Sequence, residues 1–269
     1  MPIDQITAAI RNVLDEGSRA VLITVARSPR LLVGGKMLVK ANCESVGDLG
    51  DASLNRVAAE QASAFLATRD EAKMLVVSDF APGLSGFPDT SLLFERIETE
   101  PGVVIAGAGH VGASLARLAA LIGYRVTLID DRAEFAAREL FSAQSEANIE
   151  LVSAGDCAAA IKKAIGNGHG VAVAIVTRGH KQDEECLRAA LPASPDYIGM
   201  IGSRRRTNIV LEKLRAEGFD PDLLKRVRAP IGLDIGAVSP EEVALAILAE
   251  IVTERRGGQG APLSAWRRD

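Results

Sequence analysis

Apolar residues recur along this chain with two different rhythms, and the change falls near residue 100. Residues 3–15 carry Ile6, Ile10, Val13 and Leu14 at helical spacing, and Gly17 follows as a C-cap. Residues 19–26 read as a strand, and 31–39 as a second strand interrupted by Gly34-Gly35. A turn-rich stretch at 47–52 leads into an amphipathic helix over 54–66, with Leu54, Val57, Ala58, Ala62, Phe65 and Leu66 on its apolar side. Strands are predicted at 73–77 and 92–97. The piece between them holds Pro82, Gly83, Ser85, Gly86 and Pro88 and reads as a loop.

The polar run 98–102, with its Pro101-Gly102 pair, is the strongest break. Beyond it strand and helix alternate. Strands at 103–107, 125–129, 149–152, 170–177 and 197–201 are followed by helices at 111–122, 132–140, 158–165, 183–191 and 204–217, and a last helix covers 240–255. Such alternation, with nearly continuous apolar strands, predicts a parallel sheet covered on both faces. The expected architecture is α/β: a smaller N-terminal α+β domain over 1–98, a Rossmann-like domain over 99–256 with helices on both faces of its sheet, and a flexible tail over 257–269.

Composition narrows the function classes. A net charge of −4 lacks the basic footprint of a nucleic-acid binder. Cys43, Cys157 and Cys186 form no Cys-x-x-Cys pair, so neither a metal site nor a disulfide framework is predicted. Asp4 and Gln5 stand where a secretory signal would be basic and apolar, and no apolar run approaches the ~20 residues of a membrane span. The expected setting is cytoplasmic, away from membranes.

The chemistry concentrates at strand ends. Val103 to Ala106 lead into Gly107-Ala108-Gly109-His110-Val111-Gly112, a Gly-x-Gly-x-x-Gly turn between strand and helix that suits a phosphate or pyrophosphate. Asp130 lies 23 residues after Gly107, the spacing of an acid that binds a ribose hydroxyl. Arg132 is suited to clamp a phosphate, or simply to pair with Asp131 or Glu134. His110 and His180 are both expected at one crevice, as acid/base groups, metal ligands, anion contacts or mere helix caps. His169 sits in a glycine turn and is expected in solvent. Gly202-Ser203-Arg204, at the next strand end, suits an anion, or an N-cap serine with a solvated basic turn. The apolar glycine loop 230–236 is expected to close over the same crevice. Glu241 and Glu242 need only a structural reading, as acids favoured at a helix start.

Together these pieces resemble the XdhC/CoxI family. The resemblance rests on Gly107 to Gly112, Asp130-Asp131-Arg132, Gly199 through Arg204, Pro230 to Gly236 and Ala249-Glu250-Ile251. In the first half it rests on Ser28-Pro29-Arg30 and Val33 to Val39. It implies an accessory protein that matures molybdenum hydroxylases of the xanthine dehydrogenase or carbon monoxide dehydrogenase type. Such a protein binds the molybdenum cofactor (molybdopterin or its dinucleotide), assists its sulfuration by a cysteine desulfurase and delivers it to the hydroxylase, as a chaperone more than an enzyme. One departure stands out. Many members carry Gly-Gly-Gly-Cys-Leu-Glu where this chain has Gly50-Asp51-Ala52-Ser53-Leu54-Asn55, so Ser53 replaces a soft thiolate and reads instead as the N-cap of helix 54–66.

Two alternatives stay open. One is an NAD(P)-dependent oxidoreductase using His110 or His180 as proton relay, with Asp130 favouring NAD; no Tyr-x-x-x-Lys pair supports it. The other is a cofactor-free scaffold between hydroxylase and desulfurase. The apolar stretch 243–252 is expected either to bury against its own domain or, the reading preferred here, to form the seam of a homodimer.

Overall fold

The structure, a computed structural model, describes residues 3–68, 70–132 and 148–264. The helix expected at 132–140 lies, beyond Arg132, outside the described residues. The chain divides into two compact units, Met1–Thr99 and Glu100–Asp269.

In the first unit, α1 (Ile3–Asp15) is followed by β1 (Ala20–Arg27), β2 (Lys36–Lys40), β3 (Ser45–Gly47), α2 (Ala52–Leu66), β4 (Ala72–Val76), α3 (Val77–Phe80) and β5 (Ser91–Ile97). The strands form one antiparallel sheet in the order β3-β2-β1-β5-β4. One face takes Leu54, Ala58 and Phe65 of α2 against Val21, Ile23, Leu92 and Phe94. The other takes Ile6, Ala9 and Val13 of α1 against Ala20 and Leu38. The second strand starts at Lys36, later than the apolar run suggests. Residues 32–35 turn instead, with Gly34 at φ +90° and its N–H donating to the Val25 carbonyl. Leu32 and Val33 face solvent.

Ser53 does not cap α2. The helix begins at Ala52, and the cap is Asp51, whose carboxylate accepts from the Ser53 and Leu54 N–H groups. Asn55 locks the turn before it, accepting from Leu49 N–H and donating to Asp48. That bond, and one from Gly50 N–H, hold the Asp48 carboxyl below its ordinary pKa. Asp51→Ala is therefore expected to cost about 1 kcal/mol in urea melts, and Ser53→Ala less than about 0.5 kcal/mol. Equal losses would contradict this capping arrangement.

The second unit runs β6 (Gly102–Ala106), α4 (His110–Leu121), β7 (Arg125–Asp130), β8 (Ile149–Ser153), α5 (Cys157–Ile165), β9 (Val171–Ile175), α6 (His180–Ala190), β10 (Tyr197–Met200), α7 (Arg204–Ala216), α8 (Pro221–Lys225), β11 (Val227–Arg228) and α9 (Pro240–Arg256). All its strand pairs are parallel, in the order β11-β10-β9-β6-β7-β8. Every residue of β6 and β9 is buried, because helices cover both faces. Leu115 and Ala116 of α4 pack with Ile247 and Ile251 of α9 in one apolar cluster. Ile161 of α5, Leu187 of α6 and Val210 of α7 belong to the other. The strand order reverses between β6 and β9, which makes their C-terminal ends the topological switch point where open α/β sheets bind ligands.

The loop at 230–236 does not close over that point. Ile231 N–H donates to the Met200 carbonyl, Gly232 N–H to the Glu250 carboxylate and Leu233 N–H to the Ala246 carbonyl, so the loop lies along α9. Glu250 also accepts from the Tyr197 hydroxyl. Burial and that carboxylate raise the Tyr197 pKa, keeping the phenol a donor. Helix α9 starts with a capping box between Ser239 and Glu242 and ends at Gly257 in the left-handed region.

Candidate functional site

The glycine turn after β6 is built by close contacts at two glycines and by an empty space at the third. Gly107 has φ +109°, and a Cβ there would lie 2.7 Å from the Val176 carbonyl oxygen. A Cβ on Gly112 would lie 1.8 Å from the Gly107 carbonyl oxygen. Both are demanded by the packing of α4 against the strand end. Gly109 differs. Its φ of −66° suits any residue, and among the described residues nothing lies within 4 Å of an added Cβ. Gly109 is also the N-cap of α4, and among the described residues no side-chain cap bond is made there.

Beside it lies a cavity of about 140 Å³, lined by Gly107 and Gly109, by Asp130, Asp131 and Arg132 after β7, by Cys157 of α5, and by residues after β9 and on α6. Asp130 is 4% exposed. One of its carboxylate oxygens accepts from Ala108 N–H at 2.7 Å and from Arg132 Nη2 at 3.1 Å. The other accepts from Arg132 N–H at 3.0 Å and from Arg132 Nε at 2.9 Å. Burial alone would raise its pKa. The bonds from the Arg132 side chain, from Ala108 N–H and from Arg132 N–H outweigh burial and hold it below 3.8. The expected ribose acceptor is thus a brace between the glycine turn and Arg132. Arg132 pairs chiefly with Asp130, and more distantly, at 4.0 Å, with Asp131. Asp131 accepts from Gln182 Nε2 at 3.0 Å and sits 3.5 Å from Arg178 Nη2, linking the end of β7 to the β9 side of the crevice.

That β9 side is itself braced. Asp183 is fully buried and accepts from the Thr177 hydroxyl and from Arg206. This bond ties the turn after β9 to α7, which starts at the Ser203 N-cap.

Of the residues expected at the site, Gly107, Gly109, Asp130 and Arg132 line the cavity. Gly112 lies behind the turn. His110 is the exposed first residue of α4 and is not among the lining residues. His180 opens α6; its side chain lies outside the described residues. Gly202, Ser203 and Arg204 precede and begin α7 and do not line the cavity; Ser203 accepts from Arg206 N–H as an ordinary cap. Missing from the sequence reading are Thr177, Arg178, Gln182, Glu185, Cys157 and Cys186. Thr177 and Arg178 share the strand end of His180 and were within reach of the same argument. Glu185 and the two cysteines carry no sequence signal, being ordinary helix residues until the fold brings α5 beside α6. Among the described residues no three or more His, Cys, Asp or Glu side chains gather to hold a metal, and no helix is long and apolar enough to cross a membrane.

Residues 103–251 match the model described as the XdhC Rossmann domain, and residues 13–78 match that of the XdhC and CoxI family. This chain belongs to the XdhC and CoxI family. Among relatives, the uncharacterized protein YqeB of Escherichia coli is 29% identical over 84% of this chain and 41% of its own length. A Bacillus subtilis protein described as a probable xanthine dehydrogenase subunit is 30% identical over 62% of this chain and 47% of its own. The molybdenum cofactor insertion chaperone PaoD of Escherichia coli is 27% identical over 57% and 40%. This XdhC/CoxI-family chain therefore spans less than half the length of the curated relatives it matches. A solved structure described as a xanthine dehydrogenase from Bacillus halodurans superposes with a TM-score of 0.61 over 93% of this chain and 66% of that one, at 18% identity, a likeness of fold.

Proposed function

We propose that this XdhC/CoxI-family chain serves the maturation of a molybdenum hydroxylase, holding the phosphorylated pterin of the molybdenum cofactor in the cavity at the ends of β6 and β9. The observation that carries the reading is Gly109: the fold does not require a glycine there, yet the position borders the cavity at an uncapped helix N-terminus. A side chain would fill the space in which backbone N–H groups meet an anion. Arg132 and Arg178 line the same cavity, each paired with a carboxylate that a phosphate would replace or neighbour. Gly107, Gly109, Arg132 and Arg178 are thus the residues assigned to hold the phosphate.

The cofactor is cargo here, and its molybdenum centre supplies redox chemistry only in the hydroxylase. Sulfuration is assigned to a partner cysteine desulfurase. Burial, with smaller contributions from Cys157 and nearby carboxylates, pushes the Cys186 thiol up to about 12. Burial and Asp131, Asp130, Asp156 and Glu185 raise that of Cys157. Sulfur relay needs a thiolate, so these thiols act as neutral cavity wall at neutral pH. The nicotinamide alternative is weakened because Asp130, its ribose acceptor, is already saturated. A cytoplasmic setting and a hydroxylase of the xanthine or carbon monoxide dehydrogenase type as recipient belong to the same proposal; the α9 residues Ile247 and Ile251, offered as a dimer seam, are instead buried against α4 of the same chain.

The test is calorimetric titration with molybdopterin released from a purified hydroxylase. Gly109→Asp is expected to weaken binding roughly tenfold or more, since a carboxylate then faces the phosphate. Aspartate is also a good N-cap, so the melting temperature should not fall. Undiminished binding would overturn the assignment, and saturable NADH binding in its place would favour the oxidoreductase.

A further inference from the structure

We propose that Glu185 reads the heterocyclic end of the ligand by accepting two adjacent N–H donors of a 2-aminopyrimidin-4-one ring, the edge shared by pterin and guanine. The inference rests on the reading that a phosphorylated ligand occupies the cavity. Four other ionised groups line that space, and each already has a partner: Asp130 with Arg132, and Asp131 with Arg178 and Gln182. Among the described residues Glu185 alone of the cavity-lining charges takes part in no hydrogen bond or ion pair. Gln182, Glu185 and Cys186 recur at helical spacing on α6 and all line the cavity, so they present one face to it. Cys157, across from them on α5, donates its own S–H to the Ala154 carbonyl. The flank around Glu185 is therefore formed by two polarizable thiols that compete little for hydrogen bonds, a surface suited to a flat ring.

The carboxylate decides which ring. It only accepts, and its two oxygens match two donors side by side. The N3–H and 2-amino groups of a pterin, or the N1–H and 2-amino groups of guanine, supply that pair. Adenine and cytosine set an acceptor nitrogen beside their amino group, which would place a lone pair against one carboxylate oxygen. The phosphate turn at Gly109 and the acceptor at Glu185 together specify a phosphorylated ligand with a donor-rich heterocycle.

The experiment compares GMP, AMP and neopterin by calorimetry on the full chain, with Glu185→Gln and Gly109→Asp. Glu185 is exposed on the cavity side, so Glu185→Gln should leave the melting temperature unchanged. GMP is expected to bind about tenfold more tightly than AMP. Glu185→Gln is expected to erase that preference while AMP stays within about twofold, because the amide sets a donor against a donor. Neopterin binding that is lost in Glu185→Gln but kept in Gly109→Asp would assign the carboxylate to the pterin ring itself; neopterin ignoring Glu185→Gln while GMP responds would limit it to guanine. Equal GMP and AMP binding, both weakened by Gly109→Asp, would overturn the role of Glu185 and leave the phosphate site standing. Binding indifferent to Gly109→Asp and to Glu185→Gln would overturn both.

Discussion

Gly112→Ala is expected to destabilise the second unit by roughly 3 kcal/mol or more, lowering its melting temperature by about 10 °C. The added methyl would lie 1.8 Å from the Gly107 carbonyl oxygen, and that oxygen has nowhere to go. Gly107 is held by its N–H bond to the Ile129 carbonyl at 2.7 Å, and its own Cα hydrogens face the Val176 carbonyl group. Relief requires α4 to move off the strand end, and α4 packs its buried side against α9 in the same apolar cluster. Gly109→Asp, three residues earlier, provides the contrast, since it meets open space and adopts an ordinary cap conformation. Thermal melts by circular dichroism separate the two. A Gly112→Ala protein melting within about 2 °C of the parent would show that strand and helix are not in such close contact.

Asp130→Ala is expected to cost about 3 kcal/mol at neutral pH. The substitution leaves Ala108 N–H without its acceptor and Arg132, 18% exposed at its side chain, without its main counter-charge. The effect depends on pH with a definite sign. The carboxyl is held below its ordinary 3.8 in the folded protein, so its ionised form stabilises the fold above that value. That contribution disappears as pH falls through the depressed folded value. Urea midpoints should therefore differ by a constant amount from pH 7 to about pH 5 and converge below about pH 4. A gap that widened on acidification would contradict the brace. Loss of ligand binding should accompany the loss of stability, because the same carboxylate holds the glycine turn.

The parallel sheet, the strand–turn–helix at Gly107 to Gly112, and the longer strands and helices of the first unit are legible in the order of apolar residues. Short elements such as β3, α8 and β11 are not, because a few residues cannot display a period. The run from Leu31 to Val33 has the apolar character of a strand but does not form one, because Gly34 takes φ +90° and turns the chain. Serine favours the cap position, which makes Ser53 the expected cap, but Asp51 offers a side-chain acceptor two residues earlier and caps the helix.

At the site, the divide follows the range of the interactions. The glycine spacing of the turn is a local matter of backbone freedom, so the sequence determined it. So too is membership of the XdhC and CoxI family, whose motifs lie in order along the chain. Only the tertiary structure decided what Asp130 does, because its partner N–H at Ala108 comes from the neighbouring strand's turn. Only it left His110 out of the cavity lining, set loop 230–236 on α9, and brought Cys157 and Glu185 to one cavity through a crossover that no local pattern encodes. Residues distant in sequence meet where parallel strands end, and which ones meet is set by the order of those strands in the sheet.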